Sequence, residues 1–257
     1  MTETATSLKK VLIGPILCSP HTIPQFVAEI RTLLADRALQ PRTVACINAH
    51  VYNLAMQDPK LRQFLNGVRI NTADGAAIVW AAQLCGGNIP ERCNMTEAFR
   101  AFLENAAMPH TKAILVGSTD EECQAAARHI SSMQKHCEIV ATYSGFLDEA
   151  AYKNVFHQHC DADFILMGMS TPRTEYTAEW AASICPDAIV WVIGAGTIRI
   201  FAGTMIEAPV WMRRVGLQWL HRLFSDPRAL WKRYIIGNPR FILHVLQARF
   251  ARSTTKA

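Results

Sequence analysis

Residues 113–142 read AILVGSTDEECQAAARHISSMQKHCEIVAT. An apolar run at 113–116 enters a Gly-Ser-Thr turn, residues 120–134 carry a helical pattern, and 138–142 form a second β-branched, apolar run. Strand, helix and strand in thirty residues is the signature of two parallel strands joined by a crossover helix, because parallel neighbours need a connection of about that length. The same rhythm extends both ways along the chain. Residues 43–47, 163–167 and 188–193 read as strands, and 24–35, 73–84, 96–107 and 148–159 read as helices. This predicts an α/β fold: a Rossmann-like, mostly parallel sheet with helices on both faces and a ligand crevice at the carboxyl ends of the strands.

The charge is divided unevenly. Residues 204–257 hold ten of the 26 Lys and Arg residues and two of the 21 acids, a net +8, whereas residues 1–203 carry 16 basic and 19 acidic residues, a net −3. The basic residues are interleaved with Trp211, Trp219, Phe224, Trp231, Tyr234, Phe241 and Phe250. We therefore divide the chain into a catalytic α/β body (1–203) and a basic, aromatic helical appendage (204–257). Arg and Lys attract anions while Trp and Tyr suit a wet apolar boundary, so the appendage fits an anionic membrane surface or a diphosphate. Three short helices are expected there, two of them starting at Asp226-Pro227 and Asn238-Pro239. In the first, Met212, Val215, Trp219 and Leu223 share one stripe that serves either docking on the body or lipid contact.

Other function classes recede. The modest overall charge and the lack of a nucleic-acid reading motif argue against nucleic acid. The eight cysteines, with no CxxC pair, sit mostly in apolar segments, as reduced cytoplasmic thiols do. The polar start MTETATSLKK and the short apolar run broken by Gly14 and Pro15 do not make a signal peptide. The longest apolar stretch, 188–202, is too short for a transmembrane helix and contains Arg199. Membrane contact should be peripheral.

Four strand ends are candidates for chemistry: Cys46-Ile-Asn48-Ala-His50, Asn71-Thr-Ala-Asp74-Gly75, residues 116–120 around Gly117 and Ser118, and residues 167–175 with Gly168, Pro172, Thr174 and Glu175. The Gly-Ser-Thr turn could offer backbone N–H groups to a phosphate, or Ser118 or Thr119 could simply cap the helix. Asp74 could take a proton from a hydroxyl, or could cap the helix that follows it. The cluster His157, His159, Cys160, Asp161 and Asp163 matches no usual zinc spacing, so no metal is assigned. Gly194-Ala-Gly196 lacks the third glycine of a dinucleotide fingerprint, where Arg199 stands, and reads as a tight turn.

In order along the chain, INA at 47–49, TADG at 72–75, Glu91-Arg92, GSTDE at 117–121, YSG at 143–145, GMSTPRTE at 168–175 and APVWMRRVGLQWLHRLFSDP with KRY at 232–234 resemble the WecG/TagA/CpsF glycosyltransferases, family 26, over nearly the whole length. The resemblance implies an inverting enzyme, cytoplasmic and peripheral on the inner face of the cytoplasmic membrane. It would move a sugar from a UDP-sugar to a saccharide on a polyprenyl diphosphate, in bacterial polysaccharide biosynthesis. It implies Asp74 as general base, Asn48 and Arg92 in the acceptor and donor pocket, and a metal-independent reaction without cofactor. Gly117, Ser118, Tyr143, Gly145, Gly168, Pro172, Thr174 and Glu175 would contact substrate, and Arg222, Arg228, Lys232 and Arg233 would hold the diphosphate. The chain departs from the family pattern at Cys46, Thr174, Arg199, Glu207, Gln218 and Ala229, which leaves the donor open among N-acetylmannosamine, its uronic acid, and glucosyl or other hexosyl groups. Two alternatives stand beside this reading: a non-catalytic, membrane-peripheral scaffold of the same fold, and a nucleotide-dependent oxidoreductase.

Overall fold

Residues of the predicted strands alternate between two apolar cores, as a sheet covered on both faces requires. In the computed structural model, which describes residues 8–133 and 136–254, Ile114, Val116, Ile165, Met167, Val190 and Val192 enter one core. Ala113, Leu115, Phe164, Leu166, Ile189 and Trp191 enter the other. Trp191 centres the second core, with the rings of Phe26, Phe99, Phe102 and Phe164 at 5.2, 5.4, 5.5 and 6.1 Å.

The described chain enters through an antiparallel hairpin, β1 (Val11–Ile13) and β2 (Ile16–Cys18), turned at Gly14 with φ +55°. Helix α1 (Ile23–Ala35) starts at a capping box of Thr22 and Gln25. Then come β3 (Thr43–Ile47), α2 (Ala49–Gln57), α3 (Pro59–Gly67), β4 (Ile70–Ala73), α4 (Ala76–Leu84) and α5 (Met95–Glu104). The second half of the body holds β5 (Thr111–Gly117), α6 (Asp120–Met133), β6 (Cys137–Ser144), α7 (Glu149–Gln158), β7 (Phe164–Gly168), α8 (Arg173–Ile184), β8 (Ile189–Val192) and α9 (Ala195–Phe201). The six strands β3 to β8 pair in parallel in the order β4-β3-β8-β7-β5-β6. Helices α1, α5, α6 and α9 cover one face, and α2, α3, α4, α7 and α8 the other. Strand β5 leads outward to β6 while its neighbour β7 leads back to β8, and β3 turns the opposite way to β4, so the strand ends open a crevice of the kind that binds ligands.

The predicted α/β class is what the chain builds, with differences at the edges. Residues 70–73 are a strand, so the helix expected over 73–84 begins only at Ala76. The predicted helix end at Gln134 lies outside the described residues, as do residues 1–7 of the polar start.

The appendage consists of α10 (Val210–Arg214), α11 (Gln218–Ser225), α12 (Pro227–Trp231), a π-helical turn (Lys232–Ile236) and α13 (Gly237–Thr254); residues 255–257 lie outside the described part. The first predicted helix is in fact two, because Gly216 takes φ +77° between Arg214 and Gln218. The stripe of Met212, Val215, Trp219 and Leu223 is therefore not one helix face. Asp226 caps α12 as expected, accepting from Ala229 N–H at 3.1 Å. Asn238-Pro239 falls at the start of α13, but Asn238 is not its cap, because helical backbone runs on from the π-helical turn through Gly237 (φ −68°, ψ −40°). Tyr234, Phe241 and Val245 are buried, and Phe241 meets Tyr52 of α2 edge to face at 5.1 Å, so part of the appendage docks on the body.

Candidate active site

Asp74 follows β4 at the sheet's carboxyl edge, and its N–H donates to the Ile47 carbonyl at the end of β3 (2.8 Å). It does not cap α4, whose N-cap is Gly75. Its Oδ1 instead accepts from Asn94 Nδ2 (2.7 Å) and from Met95 N–H (3.3 Å) at the start of α5. Burial pushes the Asp74 pKa up against the opposing pull of Arg222, the Met95 N–H, the Asn48 side chain and Arg92, with the net shift upward. Asn48 caps α2, its Oδ1 accepting from His50 and Val51 N–H at 3.0 and 3.1 Å. Its amide is then oriented toward Asp74.

Asp74 faces a cavity of about 630 Å³ between the body and the appendage. Asn48, His50 and Arg92 line it from the body, and Arg213, Arg222 and Arg233 from the appendage. The arginines differ in what they already hold. Arg92 binds both oxygens of Glu97 (2.9 and 3.0 Å), and Arg213 bridges Glu97 and Glu207 (2.8 and 3.0 Å). Arg100 closes the row on Glu207 at 3.0 Å. Glu207, one of the departures from the family pattern, thus ties the appendage to α5 through an alternating chain of charges.

Arg222 and Arg233 make no ion pair among the described residues. A Cβ added at Gly196 would lie 3.0 Å from Arg222 Nη2, so the glycine after β8 lets this guanidinium lie against the turn. Gly194, with φ +83°, makes that turn. Burial lowers the Arg233 pKa, and Arg233 has a buried Nε without a hydrogen-bond partner. Burial, with Arg233 nearby, brings His50 down to about 4, so His50 is neutral near pH 7. Two guanidinium groups converging on one carboxylate in a half-closed cavity suit a reaction in which a proton leaves a hydroxyl as negative charge grows elsewhere.

Of the residues predicted to hold a diphosphate, Arg222 and Arg233 reach the cavity, whereas Arg228 and Lys232 are exposed on the outer surface, Lys232 over the Trp231 ring at 5.7 Å. The predicted substrate contacts at the ends of β5, β6 and β7 form a neighbouring group outside the cavity lining. Gly117, Gly145 and Gly168 pack against surrounding backbone so closely that a Cβ on any of them would meet an atom within 3.0 Å. Ser118, at φ +45°, donates its N–H to the Gly168 carbonyl (3.0 Å), and Thr119 with Glu122 forms a reciprocal cap on α6. Tyr143 OH pairs with His159 Nε2 at 2.7 Å. Pro172 precedes α8, and the buried Thr174 hydroxyl accepts from Met169 N–H (3.1 Å). Buried Glu175 accepts from Thr171 (2.8 Å) and leaves Oε2 without a partner. Burial, then Asp74 and Glu175, raise the Cys46 thiol well above its ordinary value.

The His157 to Asp163 cluster is dispersed: Asp163 pairs with Arg37 (3.0 Å) and accepts from Lys112 N–H (3.0 Å), while His159 turns to Tyr143. The sequence did not single out Arg213, Asn94 or Glu97. Asn94 and Glu97 do carry a legible signal, a capping residue with an acid three positions on at a helix start.

The model of the Glycosyl transferase WecG/TagA/CpsF family matches residues 13–255. Relatives named N-acetylglucosaminyldiphosphoundecaprenol N-acetyl-beta-D-mannosaminyltransferase, from Staphylococcus aureus strains MW2 and NCTC 8325 / PS 47, are each 24% identical over 254 residues, covering 96% of this chain and 96% of theirs.

Proposed function

As the chain belongs to the WecG/TagA/CpsF glycosyl transferase family, we propose that it transfers a hexose-type sugar, with inversion, from a UDP-sugar to a saccharide carried on a polyprenyl diphosphate. The observation that carries this reading is one cavity in which the half-buried Asp74 carboxylate faces the Arg222 and Arg233 guanidinium groups, neither of them in an ion pair among the described residues. Oδ1 of Asp74 is held by Asn94 and Met95, the Asn48 side chain also bears on the carboxylate, and Oδ2 receives the acceptor hydroxyl's proton as that oxygen attacks the anomeric carbon. The bond to the nucleotide diphosphate breaks on the opposite side, and Arg222 and Arg233 take up the charge that the leaving group gains. Gly117, Ser118, Tyr143, Gly145, Gly168, Pro172, Thr174 and Glu175 would meet the donor side of the reaction. N-acetylmannosamine is the first donor to try, since the relatives' name specifies it.

Incubating the protein with a panel of UDP-sugars and a polyprenyl-diphosphate-linked N-acetylglucosamine acceptor is expected to give a lengthened saccharide with inverted anomeric configuration. Activity is expected to survive a chelator. No transfer from any UDP-sugar would leave the scaffold reading standing, and a retained anomer would remove the single displacement.

The outer surface of the appendage supports a peripheral place on the membrane. No helix among the described residues is long and apolar enough to cross one. Yet Ile206, Trp211, Phe224, Trp231 and Ile235 are exposed beside the exposed Arg214, Arg228, Lys232 and Arg240. Such a surface binds anionic headgroups by charge and holds by apolar insertion. Binding to phosphatidylglycerol vesicles is expected to be strong at low salt and to fall about tenfold or more when Trp211, Phe224 and Trp231 are all changed to Ser. Equal binding of that variant and the unaltered chain would remove the membrane role of this surface.

A further inference from the structure

Besides the polar residues around Asp74, the cavity is lined by one face of α4 and one face of α13, both mainly apolar, which together form a cleft. On α4 the wall is Ala77, Trp80, Ala81 and Leu84, and on α13 it is Asn238, Phe241, Ile242 and Val245. Both sets fall at i, i+3, i+4 and i+7, so each is one continuous helix face. Helix α4 contains no charged residue, and its opposite face, with Ile78 and Ala82, is already in the core. The wall is therefore a second apolar face whose floor is buried, at Ala81, Phe241 and Val245, and whose rim the fold leaves open: Trp80 is 61% and Leu84 44% exposed, and Ile242 across the cleft is 56% exposed. At the mouth stands Val215, 59% exposed and continuous with Trp211 on the appendage's outer apolar surface.

A sugar diphosphate would use the polar end and has no use for this cleft. An amphiphile with an anionic head and a branched hydrocarbon tail matches its whole length. We propose that the cleft between α4 and α13 takes up the first isoprene units of the acceptor's lipid chain. The chain then leaves the bilayer beside Val215 and Trp211, passes between the two helices and delivers its diphosphate and saccharide to Asp74. This rests on the acceptor class proposed above. It adds that the protein, besides the membrane, holds the lipid, so that hydrocarbon next to the diphosphate contributes to recognition through buried apolar area.

The test uses the full chain without membrane or detergent. An N-acetylglucosaminyl diphosphate bearing a farnesyl chain is expected to exceed the same acceptor with a butyl chain by about tenfold or more in kcat/KM. That ratio is expected to approach one in Ile242→Asp and in Ala77→Phe, which charge one wall and fill the other. A ratio kept at its original value in both variants overturns the proposal. Because either substitution could disturb packing, the unaltered chain is also labelled with a farnesyl diphosphate carrying a diazirine at the chain end. Cross-links within residues 76–84 and 237–250 are expected, whereas cross-links confined to 206–236, or none, overturn the proposal. The labelling requires no turnover, so a protein that transfers no sugar but is labelled in the cleft would refute the reaction and keep the lipid site.

Discussion

Asp74→Asn is expected to lower turnover by about 10²–10⁴-fold, the span that a positioned general base contributes, with UDP affinity unchanged within about twofold. The substitution is conservative in the sense that matters. An Asn Oδ1 can still accept from Asn94 Nδ2 and Met95 N–H, which now hold Asp74 Oδ1 at 2.7 and 3.3 Å. The fold and the arginines therefore stay in place while the proton acceptor is lost. The pH dependence gives a second reading. The base must be ionised, and burial places its pKa above the ordinary carboxylate value, so kcat/KM should rise with pH through that raised pKa and lose its acid limb in the variant. Single-turnover transfer together with calorimetric UDP binding checks both. Turnover within a few-fold of the unaltered chain would take the proton from Asp74 and give it to another group.

Why Asp74 could be picked out but not understood from sequence is instructive. The TADG motif marks it, yet a carboxylate before an apolar helix is equally a cap, and only the fold shows that its partners come from α5, twenty residues on. The parallel strands were legible because strands covered on both faces are nearly pure apolar runs. Strand β4 was marked only by its end, at 71–75, because Asn71 and Thr72, fully buried in it, break the apolar run. The Asn71 Nδ2 donates to the Leu17 carbonyl and its backbone N–H to Ser19 Oγ, the Thr72 hydroxyl donates to the Cys93 carbonyl, and Asn71 Oδ1 is left without a partner among the described residues; no local pattern reveals these contacts.

The appendage teaches the same lesson through phase. Charge density shows that it carries cations but not which of them turn inward. The break at Gly216 and the π-helical turn at Lys232–Ile236, which adds a residue to the helical repeat, set Arg222 and Arg233 toward the cavity and leave Arg228 and Lys232 outside.

Arg222→Ala and Arg233→Ala should each cost about 10²–10³-fold in kcat, the usual loss when one group stabilising a developing charge is removed. Unlike the Asp74 variant, they should also weaken UDP binding. Lys at either position should restore only part of the rate, because an ammonium cannot reproduce the planar fork that grips two phosphate oxygens. The two losses should not add in the double variant, since both groups act on one leaving group in one cavity. The titrations separate them. Arg222 is the foremost group holding the Asp74 pKa down against burial, so Arg222→Ala should move the acid limb of the rate profile to higher pH. Arg233 is the charge that adds to burial in depressing His50, so Arg233→Ala should raise the His50 pKa above about 4, readable by NMR. If Arg222→Ala lowers the rate yet leaves the acid limb where it was, then its guanidinium serves the leaving diphosphate alone and Asp74 owes its ionisation to Asn48, Met95 and Arg92.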